Sequence, residues 1–185
     1  MELAKEMLNH PFYQAWNDGE ISQDQLAQYA VAYQEFMDRV PNYWNQVLDG
    51  LGIDEEQGDE VVVEETEHSE LWRQWRVQLP AKEDAPMLSD LFNALEEMSA
   101  SELAGALHAY EVQQPDVADT KREGLVDHYG FSADNLDFFD EHAENEDDHI
   151  AFGQKIRNRY ADTEAFDRGF KIGSTLFFHS LDAFV

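Results

Sequence analysis

The chain has 185 residues, no cysteine and a formal net charge of −28, from 40 acidic against 12 basic side chains. This length suits one domain over residues 1–185. The lack of cysteine excludes disulfides, thiolate metal ligands and a cysteine nucleophile. The negative charge argues against nucleic acid and anionic membranes as partners. The chain has no apolar stretch long enough to span a bilayer and no signal-peptide pattern, so we expect a cytoplasmic protein.

The acidic side chains are spread along the whole chain, which metal binding alone does not explain. Acid-rich, lysine-poor surfaces keep proteins soluble at high salt, where the short Debye length screens their self-repulsion. We therefore predict a halophilic host. In that case most of the 40 carboxylates serve to keep the surface hydrated, and only a few take part in metal binding or catalysis.

Helical periodicity runs through nearly the whole chain, with glycine and proline mostly between the periodic segments. Ser22 and Gln25 form a capping-box pattern, Ser99 or Ser101 is a second cap, and Pro41 predicts a kink. The predicted helices cover 2–16 (with a break at His10-Pro11), 22–51, 54–79, 87–98, 101–114, 115–130, 133–160 and 163–184. The fold class is therefore all-α, a single-domain bundle of about seven helices.

Two of these helices carry histidine and glutamate three or four residues apart, which places the side chains on one helical face. A helix between them supplies a further glutamate. The candidate metal ligands are Glu65, His68, Glu111, His142, Glu146 and His149. In so acidic a chain a single match arises easily by chance, so the prediction depends on the three helices together.

Imidazole and carboxylate ligands without thiolate suit iron or manganese. Six protein ligands are too many for one open catalytic ion, but they suit two ions that share a bridging carboxylate and leave positions for O2. The remaining histidines lack such a partner pattern, and we expect them to serve capping, packing or the surface. They are His10, His108, His128 and His179.

Several motifs resemble a known superfamily. Residues 10–16, His-Pro-Phe-Tyr-Gln-Ala-Trp, and the tyrosines of the next helix resemble the heme-oxygenase-like proteins that include TenA and PqqC. Residues 64–72 are similar to that group's Glu-Glu and His-x-x-Leu-Trp motif, and residues 110–117 and 142–149 complete the match. The chain is most similar to the heme-oxygenase-like diiron oxidases, in particular the chlamydial CADD-like branch. The resemblance covers nearly the whole chain.

The chain departs from this pattern at two ligand positions. In the family the first glutamate and histidine are about one helical turn further apart, so Glu65 and His68 still share a face here. Glu64, four residues before His68, remains an alternative ligand. Glu146 stands where CADD-like proteins usually have aspartate.

CADD-like proteins make para-aminobenzoate, a folate precursor, by cutting the ring from one of their own tyrosines and taking the amino group from a lysine. The resemblance therefore implies Tyr13 as the sacrificed tyrosine, Lys121 as the amino donor and Tyr110 as a tyrosine beside the site. It also implies two metal ions (Fe/Fe or Mn/Fe), O2, an external reductant and a homodimer. From the residues alone, Tyr13 is equally a packing position and Lys121 equally a surface lysine. Tyr29, Tyr33, Tyr43 and Trp44 are expected in the core or a cavity lining.

Other functions stay open. One is a diiron oxidase that turns over repeatedly on a diffusible amino-acid or fatty-acid substrate. Another is a cofactorless PqqC-like oxidase, which would not need six metal ligands. Outside enzymes, the alternative is a TenA-like regulator or interaction protein, although the net charge argues against DNA contact. TenA-type thiaminase chemistry lacks its catalytic cysteine.

Overall fold

Helices and short 3-10 turns account for the regular structure of the described residues. A computed structural model describes residues 1–82, 84–144 and 147–185. Its helices are α1 (Pro11–Asn17), α2 (Gln23–Leu51), α3 (Glu56–Arg76), α4 (Ser89–Glu96), α5 (Ala100–Glu111), α6 (Gln114–Asp127), α7 (Asp137–Glu144), α8 (Asp147–Arg159) and α9 (Thr163–Ser180). The 3-10 turns are Met7–Asn9, Ala133–Asn135 and Leu181–Phe184.

The all-α prediction is confirmed, because the described residues contain no strand. About seven helices were expected, and the described ranges hold nine. The predicted helix 133–160 corresponds to a 3-10 turn and to α7 and α8, which lie on either side of residues 145 and 146. The predicted helix 2–16 is a 3-10 turn followed by α1, divided at the expected break. His10 is extended (φ −73°, ψ 141°) because the ring of Pro11 disfavours helical geometry in the residue before it.

Caps read from the sequence define the ends of the longer helices. The Ser22 side chain accepts a hydrogen bond from the Gln25 amide, and the Gln25 side chain accepts one from the Ser22 amide, which confirms the predicted box. The helix that follows continues through Pro41 and ends at Gly52, whose left-handed φ of 64° suits glycine. Ser99 caps α5 in the same way.

Helix α5 forms the centre of the bundle, with every residue from 101 to 111 except Glu102 buried. It packs against α2, α8 and α9. This central position is what carries Glu111, the last residue of α5, into the interior. Among the described residues, no helix combines the length and the apolar character that a membrane crossing requires.

The backbones of α5 and α9 approach each other closely at Gly105. A Cβ atom on Gly105 would lie 2.0 Å from the carbonyl oxygen of Phe166. We expect Gly105→Ala to lower the free energy of unfolding by about 1–3 kcal/mol, because overpacking forces the two backbones apart. Urea denaturation followed by circular dichroism measures the loss. Gly58→Ala is the matched control, since its new Cβ would meet only the flexible Leu48 side chain. Equal midpoints for the two variants would contradict the prediction.

Candidate metal centre

A cluster of imidazole and carboxylate side chains lies buried where four helices meet. Helix α3 contributes Glu65 and His68, one turn apart, and α5 contributes Glu111. Helices α7 and α8 contribute His142 and His149. The spacings read from the sequence explain this arrangement, because each helix turns its predicted ligands toward the same interior space.

Glu65 stands between two imidazoles. Its Oε1 is 3.5 Å from His149 Nδ1, and its Oε2 is 3.6 Å from His68 Nδ1. Ligand atoms of Glu65, Glu111 and His149 all lie within 4.8 Å of one another. Two carboxylates and an imidazole at this separation fit a metal ion, and the absence of sulfur from the set favours iron or manganese.

The three histidines form one group. The ring centroids of His68 and His142 are 4.2 Å apart, and those of His68 and His149 are 5.7 Å apart. His142 Nδ1 lies 2.7 Å from the Phe138 carbonyl oxygen, which can only accept, so Nδ1 carries the proton and Nε2 the lone pair. Burial and the neighbouring His68 hold the pKa of His142 well below its usual range. His142 is therefore neutral, the form that binds metals.

Five of the six predicted ligands meet in this cluster. The sixth, Glu146, lies outside the described residues. Glu64, the alternative to Glu65, approaches from the outer side, with its Oε2 2.8 Å from His149 Nε2 and half of its side chain exposed. The cluster thus has a buried carboxylate at Glu65 and a half-exposed one at Glu64.

Lys121 lies in a cage of aromatic rings and is only 1% exposed, so the alternative of a surface lysine is wrong. Its Nζ is 4.7 Å from the ring centroid of Tyr33, 5.4 Å from that of Tyr29, 5.6 Å from that of Trp72 and 5.9 Å from that of Tyr13. Burial lowers the pKa of Lys121 to about 7. The amine is therefore partly neutral at neutral pH.

Tyr33 of this cage is paired with a tyrosine that stands next to a predicted metal ligand in the sequence. Its hydroxyl is hydrogen-bonded to the hydroxyl of Tyr110, which directly precedes Glu111. Burial raises the pKa of Tyr110 well above its usual range, and the charges of Glu111 and Glu65 raise it further. Both phenols are therefore protonated. The sequence placed Tyr33 only in the core or a cavity lining, because nothing in the spacing of α2 shows that α6 brings a lysine to it.

Four histidines lie outside the cluster, and three of them serve in capping, packing or at the surface, as the sequence predicts. His10 Nδ1 accepts a hydrogen bond from the Phe12 amide and caps α1, while Nε2 lies 2.9 Å from Asp182 Oδ1. His179 is an exposed partner of the same carboxylate. His108 packs against Phe166, and burial lowers its pKa to about 4.

An all-helical bundle around a buried, sulfur-free cluster of histidine and glutamate defines the class of non-heme metal-dependent oxidoreductases. The family model described as iron-containing redox enzyme matches residues 41–170, and the TENA/THI-4/PQQC family model matches residues 1–44. The chain belongs to the iron-containing redox enzyme family.

Similar proteins from two bacterial groups are named 4-aminobenzoate synthase. The one from Chlamydia pneumoniae is 31% identical over 169 residues, which cover 78% of this chain and 72% of that protein. The one from Nitrosomonas europaea is 30% identical and covers 86% of this chain and 76% of its own length. A third, from Chlamydia trachomatis, is 31% identical over 76% of this chain and 68% of its own length.

The two neighbouring glutamates of α3 can be separated by experiment. We expect Glu65→Gln to weaken Mn²⁺ binding by at least about 10-fold, because it removes a buried carboxylate between two imidazoles. Glu64→Gln changes a side chain that is half exposed, and we expect a smaller effect. Isothermal titration with Mn²⁺ measures both. A larger loss in the Glu64 variant would assign the ligand to Glu64 instead.

Proposed function

We propose that this protein is a dinuclear-metal, O2-dependent oxidase that makes 4-aminobenzoate from two of its own side chains. Tyr13 supplies the ring and Lys121 supplies the amino group. The observation that carries the proposal is the position of Lys121, a buried amine among tyrosine rings, one of which, Tyr33, is hydrogen-bonded to Tyr110, the residue before Glu111. The names of the similar proteins support the same product.

The chemistry of tyrosine fits this product. A tyrosine side chain is a benzene ring that carries one further carbon para to an oxygen, and 4-aminobenzoate has the same carbon skeleton. The conversion breaks the Tyr13 Cα–Cβ bond and oxidises Cβ to a carboxylate. It also forms a bond from Lys121 Nζ to the ring carbon that bears the phenol oxygen, breaks the Lys121 Cε–Nζ bond, and releases the phenol oxygen as water. O2 is the oxidant that is reduced, and an external reductant supplies the remaining electrons. The bound metal ions would supply the activation of O2.

The residues of the cage prepare the amine for this role. A neutral amine has a lone pair for bond formation, whereas an ammonium ion has none. Burial favours the neutral form of Lys121 because it disfavours the charge. The surrounding rings exclude water from the amine, and burial raises the pKa of the Tyr13 phenol, which is therefore protonated.

We further propose that the two ions, Fe/Fe or Mn/Fe, are held by Glu65, His68, Glu111, His142, Glu146 and His149. The fit rests on the buried group of Glu65, Glu111 and His149 and on the histidines packed beside it. We also propose a homodimer that binds neither nucleic acid nor membranes. Metal analysis of the purified protein and its molar mass by light scattering test these proposals.

Three tyrosine rings lie near Lys121 Nζ, and Tyr33 is closer to it than Tyr13. The choice of Tyr13 depends on the motif at residues 10–16. The test is to load the protein with Fe²⁺ and Mn²⁺, add O2 and a reductant, and measure 4-aminobenzoate and the masses of the tyrosine peptides. We expect Tyr13→Phe to abolish the product, and the peptide with Tyr13 to lose the side chain in the unchanged protein.

The same experiment separates the competing functions. A self-consuming protein makes at most one product per chain, and Tyr29→Phe and Tyr33→Phe retain the source of the ring. Unchanged product from Tyr13→Phe would overturn the choice of Tyr13. Many turnovers on an added amino acid or fatty acid, without loss of mass from any tyrosine peptide, would favour an oxidase of a diffusible substrate.

A further inference from the structure

We propose that Trp16 and Gly124 are positioning residues that hold Tyr13 beside Lys121 by fixing how α1 lies against α6. The inference rests on the proposed function, in which Tyr13 and Lys121 react with each other. Neither Trp16 nor Gly124 is proposed to take part in the chemistry.

The two helices carry matching pairs. Tyr13 and Trp16 are three residues apart on α1, and Lys121 and Gly124 are three residues apart on α6, so each pair lies on one helical face. The Trp16 indole Nε1 donates a hydrogen bond to the Lys121 carbonyl oxygen at 3.2 Å. The same turn of α1 therefore carries Tyr13, whose ring lies near the Lys121 amine, and Trp16, which is hydrogen-bonded to the Lys121 backbone.

Gly124 makes this approach possible. A Cβ atom on Gly124 would lie 2.4 Å from Trp16 Nε1 and 2.5 Å from Trp16 Cδ1, too close for any side chain. Glycine is a poor helix former, and Gly124 lies inside α6. Its position is explained by the buried indole that fills the space where a side chain would be. The Tyr129 hydroxyl also donates to the Trp16 carbonyl oxygen, at 3.4 Å, which holds the same turn of α1.

The consequence is a fixed distance between the reacting groups. Tyr13 reaches the cage only through the placement of α1, and its ring centroid is 5.9 Å from Lys121 Nζ. Any displacement of α1 along or away from α6 changes this distance. Of the other rings of the cage, that of Tyr29 also packs against Trp16, with ring centroids 6.1 Å apart. Tyr33 and Trp72 are carried by α2 and α3 and lie outside this contact, so their rings serve as the internal reference.

The first test uses the metal-free protein. Two variants disturb the contact in different ways. Gly124→Ala pushes the indole away, and Trp16→Phe keeps a ring but removes the hydrogen bond. With lysine and tyrosine labelled selectively, the NMR cross-peak between Lys121 Cε protons and Tyr13 ring protons reports their proximity. We expect this cross-peak to be lost in both variants, and the cross-peaks from Lys121 to Tyr33 to remain.

Trp44→Phe is the matched control. Trp44 is as buried as Trp16, but its indole N–H has no hydrogen-bond partner among the described residues, and its ring packs against Phe152 of α8. We expect the cross-peak to persist in this control. Its loss in the control as well would overturn the inference, because general loosening of the core would then explain the effect.

The second test uses the metal-loaded protein with O2 and reductant. In the unchanged protein we expect the Tyr13 and Lys121 peptides to be modified in equal proportion. In Trp16→Phe and Gly124→Ala we expect the product yield to fall by about 10–100-fold, because small misplacements of reacting groups cost about that much in rate. Modification of Tyr13 should then exceed that of Lys121. Trp44→Phe should keep the two modifications equal.

The outcomes distinguish the two proposals. If the unchanged protein shows no modification of either peptide, the proposed function fails, while the NMR cross-peaks still decide whether Trp16 and Gly124 position the pair. Persistence of the Tyr13–Lys121 cross-peak in both variants, with equal modification, would overturn the positioning role. If Gly124→Ala fails to fold, Trp16→Phe decides the question, because it needs no additional space.

Discussion

Lys121→Met is expected to make no 4-aminobenzoate and yet to be more stable than the unchanged protein. Methionine is similar in length and needs no solvation, whereas the lysine is buried among rings with a pKa lowered from its ordinary 10.5 to about 7. One pKa unit corresponds to about 1.4 kcal/mol, so the lysine lowers the free energy of unfolding by something on the order of 4 kcal/mol at neutral pH. A buried lysine that lowers the free energy of unfolding by this much is expected to serve the activity.

The gain in stability depends on pH in a defined direction. The unfolded chain keeps the Lys121 proton to higher pH than the folded chain does, so the folded protein becomes more stable as the pH rises from about 7 toward 10.5. The methionine variant has no proton to lose at position 121, so it lacks this dependence of stability on pH. We therefore expect the difference in unfolding free energy to be largest at pH 7 and below, and to shrink as the pH approaches 10.5.

Urea denaturation at several pH values measures the effect, and product analysis measures the activity. Lys171→Met is the control, because Lys171 is exposed and we expect neither its stability nor its product yield to change much. A methionine variant at position 121 that is less stable at pH 7 would show that the amine makes favourable contacts in the cage. Full product yield from that variant would exclude Lys121 as the amino donor.

The second large effect is expected at the metal cluster. His149→Ala should lower Mn²⁺ affinity by at least about 100-fold, because losing a direct ligand costs more than the 10–100-fold loss typical of its outer partners. His149 belongs to the group with Glu65 and Glu111, and its ring also lies beside His68. The variant should in consequence make no product even when Mn²⁺ and Fe²⁺ are supplied.

His108→Ala is the matched control for this experiment. His108 is also a buried histidine, but it packs against Phe166 and Phe170 outside the cluster. We expect it to lose stability and to keep its metal affinity. Equal Mn²⁺ binding by the two variants, measured by isothermal titration and by electron paramagnetic resonance, would show that the histidine cluster is not the metal site.

Local chemistry made much of the fold predictable. The capping boxes at Ser22 and Ser99 and the break at Pro11 act over three or four residues, so the sequence contains the whole interaction. The ligand spacings within α3 are predictable for the same reason. The region 133–160 shows the limit, because its continuous acidic and helical pattern carries no signal for a 3-10 turn before α7.

The cage around Lys121 was beyond sequence reasoning, because it depends on how separate helices pack. Ten residues separate Glu111 from Lys121, and α5 ends and α6 begins between them, so helical spacing does not relate the two. The periodicity of α2 indicates that Tyr29 and Tyr33 face the interior, but not which residue they meet there. Only the resemblance suggested a role for Lys121, and only the packing shows that it is buried.

The full burial of Tyr13 means that the proposed reaction would change the stability of the protein. Tyr13 is 1% exposed, and its ring packs against that of Phe12. Once the ring has left as product, the spent chain would contain a void of that size, and truncating a large buried aromatic side chain costs about 3–5 kcal/mol. A folded domain has only about 5–15 kcal/mol to lose. Each used molecule would therefore unfold more readily than a fresh one, which would make the spent protein a preferred substrate for cellular proteases. Comparing melting temperatures before and after a single reaction measures this loss of stability directly.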